Sequence, residues 1–596
     1  MSRFVFPAGF RLEQNLNSAN VDELLGITFS ETDVDRMLTR ISERMIKAGR
    51  ISRNPRAKVG GQAADSLTVS ELAQELSKSS SISGFQGAAG AEALEGWLRS
   101  SVVVVKGRGK SRRGEGIDYI APTTAAAYRT GFPKNAQRNR GSDKVIYDLM
   151  LAFLEALGIG GPRQVLSHYC AVTIGQGVDF GALPHNEPKY DGTASVDLSQ
   201  LLALRFVELF DTEGLDNKTD AEKFAGVAIP GALIPLARDL VSLFQVMEAD
   251  AEKGKAWDVA DSFSALRSVI AIRLFQVPLR MSYALRSGFE GSLNSDCWRK
   301  PEEEEAQEVL AAKWDNPLEL YCDFTDVASS VSESIARKSA GRDLDALRIF
   351  FQDRMIFRAT VQAGSQTSSR NIFAGSATSP ASRRLIFDEV MRAQDNEEYR
   401  LAANWYLNNI EDQLKDTDGE VSDPESLRIV RECREIYDNP LVAFGQVIVA
   451  SRERDGVEGL IKWFKATGGL QSAGLPKGYG ILRGQEGKRP TWRYRPAEEL
   501  VLNLVDMCFI NPPSSADNQV AVGRTKMSLG LVLKRLKERY GILIDQPPSF
   551  MDNPETREAA SRNLEAFTSF LRDVGCFQTL SDDFAGNEVL RPRRSR

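Results

Sequence analysis

Apolar side chains recur every three or four positions over most of this chain, which is the spacing of an amphipathic helix. The period dominates from Ser142 to about Asn439. No fixed repeat length joins the periodic segments, so a solenoid is not indicated. The pattern predicts a large helical body. Its clearest helices are expected at 201–210, 229–249, 259–287, 343–361, 382–414 and 424–437.

The N-terminal region has a different order of elements, over roughly residues 30–125. A helix begins near Ser30, which is placed to cap it, and Thr68 starts a capping-box pattern that opens the next helix. After a further helix, the apolar run at 102–105 predicts a strand, and 117–120 the return strand. Helix, turn, helix, strand, basic loop, strand resembles the winged helix-turn-helix domains, which implies a small α+β module.

The last third of the chain combines helices with two predicted hairpins. The first pairs residues 479–482 with 491–494 around a turn at 483–489, and the second pairs 576–580 with 589–591. Three helices are expected between them, at 498–509, at 524–540 before Gly541, and after Asn553-Pro554. This arrangement predicts one or two further winged-helix-like modules.

The predicted fold is therefore mainly α and multidomain, with winged-helix-like α+β modules at both ends of a large helical body. The expected boundaries are 1–140 for the N-terminal module, 141–440 for the body and 441–596 for the C-terminal region. The length of 596 residues agrees, because domains usually hold about 100–200 residues.

Composition excludes several classes of protein. The net charge of −6 is mild, so the whole molecule is not a basic nucleic-acid coat. Six cysteines stand far apart without a Cys-x-x-Cys pair, which excludes a zinc ribbon and is typical of a reducing compartment. The chain starts without an apolar signal segment and contains no run of about 18 apolar residues. A cytoplasmic protein without membrane contact is expected.

Motifs for catalysis, cofactors and metals are missing from the sequence. Gly109-Lys110-Ser111 imitates the end of a phosphate-binding loop, but Val104 stands where that motif needs glycine. His168 and His185 are the two histidines, and both are interpreted as structural or surface residues. We assign no catalytic residue, cofactor or metal ligand. The chain is expected to be non-enzymatic, with a nuclease of unrecognised active site as an alternative.

A local cluster of basic residues is the feature of the sequence that indicates a function. Residues 106–144 hold ten Lys/Arg against three Asp/Glu, in a chain that is acidic overall. Glycine-spaced arginines on a hairpin suit a phosphate backbone, because glycine permits close approach and arginine binds phosphate bidentately. The alternative is a solvated hairpin tip or a contact with an acidic partner. The first candidate nucleic-acid-binding set is Lys106, Arg108, Lys110, Arg112 and Arg113.

The predicted hairpin at 479–494 is the second basic feature. Trp492 and Tyr494 alternate with its arginines, so aromatic and cationic side chains are expected on opposite faces of the ribbon. The favoured interpretation is that the aromatic rings pack on the core while the cations stay available for phosphate. The second candidate set is Arg483, Lys488, Arg489, Arg493 and Arg495.

Two runs in the C-terminal region carry a family resemblance. Residues 493–500 (RYRPAEEL) and 536–542 (LKERYGI) resemble the C-terminal region of accessory proteins from bacterial anti-phage defence islands. The resemblance implies a multi-protein setting and transfers no functional residue.

The leading hypothesis is a non-enzymatic DNA-binding or adaptor subunit of a multi-protein bacterial anti-phage defence system. Its expected partners are DNA and other defence-system proteins, and its oligomeric state is left open. Besides the nuclease, the alternatives are a protein-only scaffold and a kleisin-like partner of an ATPase. The kleisin alternative is kept because winged helices at both ends of a helical middle resemble kleisin-type subunits of chromosome-organising ATPases.

Overall fold

The structure is a computed structural model, and it describes part of the chain. The described residues are 27–29, 32–46, 49, 58–59, 62–63, 67–79, 84–105, 117–120, 142–174, 178–179, 189–190, 202, 229–230, 233–289, 298–299, 318–374, 380–415, 424–470, 477–511, 525–579 and 587–592.

The N-terminal region contains the predicted order of two helices followed by a hairpin. Thr68 and Glu71 form the expected capping box, with the Glu71 amide donating to Thr68 Oγ1 at 3.2 Å. The hairpin strands pair antiparallel, Val103 with Ile120. The elements are α1 (Val34–Ile46), β1 (Lys58–Val59), β2 (Gln62–Ala63), α2 (Val69–Lys78), α3 (Gly87–Trp97), β3 (Val103–Val105) and β4 (Ile117–Ile120).

Helix α1 begins later than predicted. Asp33 caps it, because its Oδ1 accepts from the amides of Asp35 at 3.0 Å and Arg36 at 3.3 Å. A carboxylate suits the positive end of a helix and satisfies amides that have no partner within it. Ser30, the predicted cap, lies outside the described residues.

The body is built mainly of long helices, as predicted, and it also contains short strands. Its elements are α4 (Ser142–Ala156), α5 (Pro162–Ile174), β5 (Val178–Asp179), β6 (Lys189–Tyr190), β7 (Ile229–Pro230), α6 (Ile234–Glu252), α7 (Val259–Phe289), β8 (Trp298–Arg299), β9 (Leu320–Tyr321), α8 (Val331–Gly364), α9 (Arg370–Ala374), α10 (Pro380–Ala393), α11 (Glu397–Gln413) and α12 (Pro424–Ile436). None of these described helices is both long and apolar enough to cross a bilayer.

Three predicted helices of the body have wrong boundaries, since the helix predicted at 343–361 is part of α8, which already begins at Val331. The prediction at 229–249 fails at its start, because β7 pairs antiparallel with β8. The single helix predicted at 382–414 is two helices, because Asn396 starts α11 by accepting from the Glu398 amide at 2.9 Å. Of the predicted helix at 201–210, the structure describes Leu202 alone.

The C-terminal region places a three-stranded sheet beside its helices. The sheet order is β12-β15-β14, with both pairs antiparallel. The elements are α13 (Pro440–Thr467), β10 (Leu482–Arg483), β11 (Arg493–Tyr494), α14 (Glu498–Phe509), β12 (Lys526–Ser528), α15 (Leu529–Tyr540), β13 (Ile542–Leu543), α16 (Pro554–Asp573), β14 (Phe577–Thr579) and β15 (Asn587–Leu590).

Helix α14 has the predicted bounds, and both predicted hairpins are present. The helix predicted at 524–540 is wrong at its start, because Lys526–Ser528 form β12. Ser528 instead caps α15, and Gly541 ends it in the left-handed conformation with φ 65°. Arg591, near the C-terminal end of the described residues, is held by the buried Asp506 at 2.6 Å.

The body and the C-terminal region share one hydrophobic core, whose members run from Ile27 to Val589. Helix α13 crosses α8 at very short range. A Cβ on Gly445 would lie 2.7 Å from Ile356 Cα, and one on Gly456 would meet the Phe351 ring. Strand β9 of the body pairs in parallel with β13. These contacts fix the position of the β10–β11 hairpin, which carries the second candidate set.

Candidate nucleic-acid interface

The first candidate set lies outside the described residues. Its five cations belong to residues 106–116, which join β3 to β4. The described strands bring the two ends of this basic segment side by side. Phosphate binding by Lys106, Arg108, Lys110, Arg112 and Arg113 stays a prediction.

The β10–β11 hairpin turns its aromatic side chains into the core, as the alternation predicted. Leu482 pairs with Tyr494 and both are buried, as is Trp492. The Trp492 Nε1–H donates to the Gln485 carbonyl at 2.8 Å, and the Tyr494 hydroxyl donates to Asp343 Oδ2 at 2.6 Å. These bonds satisfy the polar atoms of two buried rings. The interpretation that the aromatics are core residues is confirmed.

The cations of the hairpin fall into two groups. Three of them bind carboxylates of neighbouring elements. Arg489 Nη2 lies 2.8 Å from Glu458 Oε2, and Arg493 Nη1 lies 3.4 Å from Glu333 Oε1. Arg495 pairs with Asp326. These ion pairs connect the hairpin to α13, through Glu458, and to the body, through Glu333 and Asp326, and they neutralise part of its charge.

Arg483 and Lys488 form the second group. Lys488 is exposed in the turn. Arg483 stands opposite Arg493 in the register of the two strands, and its Nη1 is buried without a hydrogen-bond acceptor in the described part of the chain. Burial and the guanidinium groups of Arg495 and Arg493 lower the pKa of Arg483 to about 10. The Nε of Arg493 likewise has no acceptor there. An anion beside the accessible part of these guanidinium groups would relieve the repulsion between them.

A buried charge cluster was missed by the sequence reasoning. Asp239 on α6 is fully buried, and Arg273 of α7 and Arg539 of α15 approach its two oxygens at 2.5 Å and 2.7 Å. Arg238 and the Tyr540 hydroxyl also contact it. Burial alone would raise the pKa of Asp239, but the three arginines hold it well below its usual range.

The same cluster closes the end of α15. Arg273 Nη1 donates to the Arg539 carbonyl at 2.8 Å, and Gln276 Nε2 donates to the Tyr540 carbonyl at 2.6 Å. Carbonyls in the last turn of a helix lack partners within it, and cations there suit the helix dipole. The cluster therefore joins the C-terminal region to the body. Its arginines bind a buried carboxylate and a backbone carbonyl, so we do not assign them to a phosphate-binding surface.

The described residues contain no group of three or more His, Cys, Asp or Glu side chains suited to a metal ion. His168 is exposed and lies 2.9 Å from Glu248. His185 is outside the described part of the chain.

Comparison with known proteins gives one match. No curated protein and no solved structure matches the chain significantly. A family model described as "Methylation-associated defense system protein MAD7" matches residues 14–593. The sequence resemblance and the family match therefore agree that the chain belongs to a defence-system protein family. Because the match spans far more than half of its length, the chain belongs to the MAD7 family of methylation-associated defense system proteins.

Proposed function

We propose that this protein is a non-enzymatic subunit of a methylation-associated anti-phage defence system, and that it binds DNA and connects it to other proteins of the system. The family supplies the setting. The basic hairpins would make the contact with DNA.

The arginine cluster on the outer face of the β10–β11 hairpin carries the proposal. Arg483 and Arg493 face each other across the two strands, and each holds a buried N–H group without an acceptor in the described part of the chain. Arginine pairs well with phosphate because its planar N–H groups match two oxygens at once. A phosphate of a nucleic-acid backbone would bind the accessible part of these two guanidinium groups, since both residues are partly exposed.

The topology of the C-terminal region supports a nucleic-acid or adaptor role. Elements α14, β12, α15, β13, α16, β14 and β15 follow one another as helix, strand, helix, strand, helix, strand and strand. The sheet order β12-β15-β14 places the first strand beside the last. We assign this arrangement to a winged-helix module, and the α2–α3–β3–β4 region to a second one. The basic segment 106–116 would be the wing of that second module.

Arg483→Ala tests the hairpin contact. The slope of log affinity for duplex DNA against log salt should become shallower by about 1, because one phosphate contact is lost. Fluorescence anisotropy across a salt series measures the slope. Protein stability should not fall, since this guanidinium is crowded by like charges in the free protein.

Arg489→Ala is the matched control for that experiment. Arg489 lies in the same hairpin but is already paired with Glu458, so its loss should change the salt slope less. A slope for Arg483→Ala equal to that of the wild type would remove this hairpin from the DNA interface.

A protein-only adaptor is the second candidate function. Helix α11 exposes Leu401 and Trp405, whose side chains are 62% and 52% accessible, and which lie one turn apart on one face. The helix carries four carboxylates and one arginine. We expect its partner to be another protein of the same defence system, with an apolar patch bordered by basic residues.

Trp405→Asp should abolish co-purification with that partner when the proteins of the system are expressed together. Exposed aromatic residues are frequent binding hot spots, and a buried charge in the interface would have no counterpart. Ile349→Asp, at an exposed apolar position on α8, is the control and should leave the complex intact. Equal recovery of the complex from both variants would refute this docking surface.

A further inference from the structure

A cavity of about 230 Å³ lies between the start of α1 and the end of α13. It is separate from the arginine cluster of the hairpin, although Glu486 of the hairpin turn reaches one of its lysines. Cations and hydroxyl groups dominate its polar lining. The lining residues are Thr32, Asp33, Lys462, Lys465, Ala466, Gly469, Leu470, Lys477 and Tyr479.

Charges around the cavity do not balance. Lys465 pairs with Glu486, and Lys477 Nζ lies 3.3 Å from Asp35 Oδ2. Lys462 is exposed, and no carboxylate in the described part of the chain pairs with it. Arg267 also approaches Asp35, at 3.0 Å.

Asp33 is the one carboxylate in the lining, and its charge is already engaged. It accepts from the first amides of α1, and Arg36 Nε lies 3.6 Å from its second oxygen. Among the described residues, five cations around the cavity therefore stand against Asp33, Asp35, Glu486 and, beside Gly478, Glu499. The helix terminus adds further positive potential.

Thr32 supplies an observation independent of charge. Its side chain lines the cavity, 9% of the residue is accessible, and its Oγ1 has no hydrogen-bond partner in the described part of the chain. A buried hydroxyl without a partner costs about 1–3 kcal/mol, so such groups usually have a ligand or water. Tyr479 brings a second hydroxyl to the lining. Burial raises its pKa well above the ordinary value, which keeps it protonated as a donor.

Size limits the ligand. Sites for drug-sized molecules usually measure about 300–1,000 Å³, so this cavity suits a small group. Ammonium and hydroxyl donors around an excess of positive charge fit tetrahedral oxyanions. We propose that the cavity binds a phosphate group, held by Lys462, Lys465 and Lys477 with Thr32 as a hydroxyl donor.

The phosphate has two possible sources, free phosphate and the 5′-phosphate of a DNA end. In the second case, the cavity would add end recognition to the proposed DNA-binding function. In the first case, the inference stands without that function.

Isothermal titration calorimetry of the whole chain with inorganic phosphate tests the site. Chloride keeps the ionic strength constant during the titration. The wild type should bind phosphate. Lys462→Ala and Thr32→Val should each weaken binding about tenfold or more, because each removes a donor to a charged group. Lys253→Ala, at an exposed position elsewhere, is the control and should bind like the wild type. Circular dichroism without phosphate verifies that each variant folds.

A second experiment identifies the source. Duplexes with a 5′-phosphate and with a 5′-hydroxyl are compared at equal salt. A preference for the phosphorylated end that Lys462→Ala removes would assign the site to DNA ends. Equal affinity for both duplexes, with phosphate binding intact, would assign it to free phosphate. Absence of phosphate binding by the wild type, or unchanged binding by both Lys462→Ala and Thr32→Val, would overturn the proposal even if the hairpins bind DNA.

Discussion

Asp239→Ala is expected to lower the free energy of unfolding by about 3–5 kcal/mol, because removing one partner of a buried ion pair leaves uncompensated buried charge. The carboxylate is fully buried and is contacted by Arg238, Arg273 and Arg539. Loss of the carboxylate would also remove the ion pair that links Arg539 of α15 to the body. Chemical denaturation followed by circular dichroism measures the change.

An exposed aspartate–arginine pair is the control for this substitution. Asp552 binds Arg557 at 2.6 Å on the surface, where water and salt screen the interaction. Asp552→Ala should leave the denaturation midpoint unchanged. A midpoint for Asp239→Ala close to that of the wild type would show that the cluster does not join α15 to the body.

Gly445→Ala is expected to destabilise the protein by about 1–3 kcal/mol through overpacking. A Cβ at this position would lie 2.7 Å from Ile356 Cα and 3.0 Å from Ile356 N. Backbone atoms cannot rotate away, so α13 and α8 would have to separate along helices of 28 and 34 residues. The same denaturation experiment measures the loss.

Gly341 on α8 offers the matched control. A Cβ there would have nothing within 4 Å. Gly341→Ala should therefore stabilise its helix, by up to about 1 kcal/mol, because alanine is the better helix former. The close crossing of α13 and α8 therefore predicts that Gly445→Ala lowers the free energy of unfolding and that Gly341→Ala raises it. A stabilising effect of Gly445→Ala would contradict it.

Local chemistry made many helix boundaries predictable. Helix caps act on neighbouring backbone groups, so a few adjacent residues are enough to predict them. The examples are Thr68 with Glu71, Asn553 with Pro554, and Gly541. The bounds of α14 followed from its apolar period.

Long-range pairing accounts for the errors. Ile229–Pro230 and Lys526–Ser528 form strands because of partners about 60 or more residues away, and no local period reveals such partners. The Asp239 cluster joins three segments that are far apart in the sequence. No local pattern therefore distinguishes its members from other charged residues. The hairpin followed its predicted alternation, but the carboxylates that bind Arg489, Arg493 and Arg495 come from other elements of the fold, α13 and the body.

The central claim is that the protein binds DNA through its basic hairpins. Its most direct test is duplex binding by fluorescence anisotropy across a salt series, for the wild type and for two variants with equal loss of charge. The first variant has alanine at the five cations of the 106–113 segment. The control has alanine at five exposed cations elsewhere, namely Lys253, Lys255, Lys338, Arg370 and Arg392.

We predict binding that weakens steeply with salt in the wild type. The salt slope of the 106–113 variant should be shallower by up to about 4.5, at about 0.9 for each lost phosphate contact. The control should keep most of the wild-type slope, because its cations lie outside the proposed interface. Identical slopes for the two variants, or absence of binding at low salt by the wild type, would contradict the account and leave the protein-only adaptor.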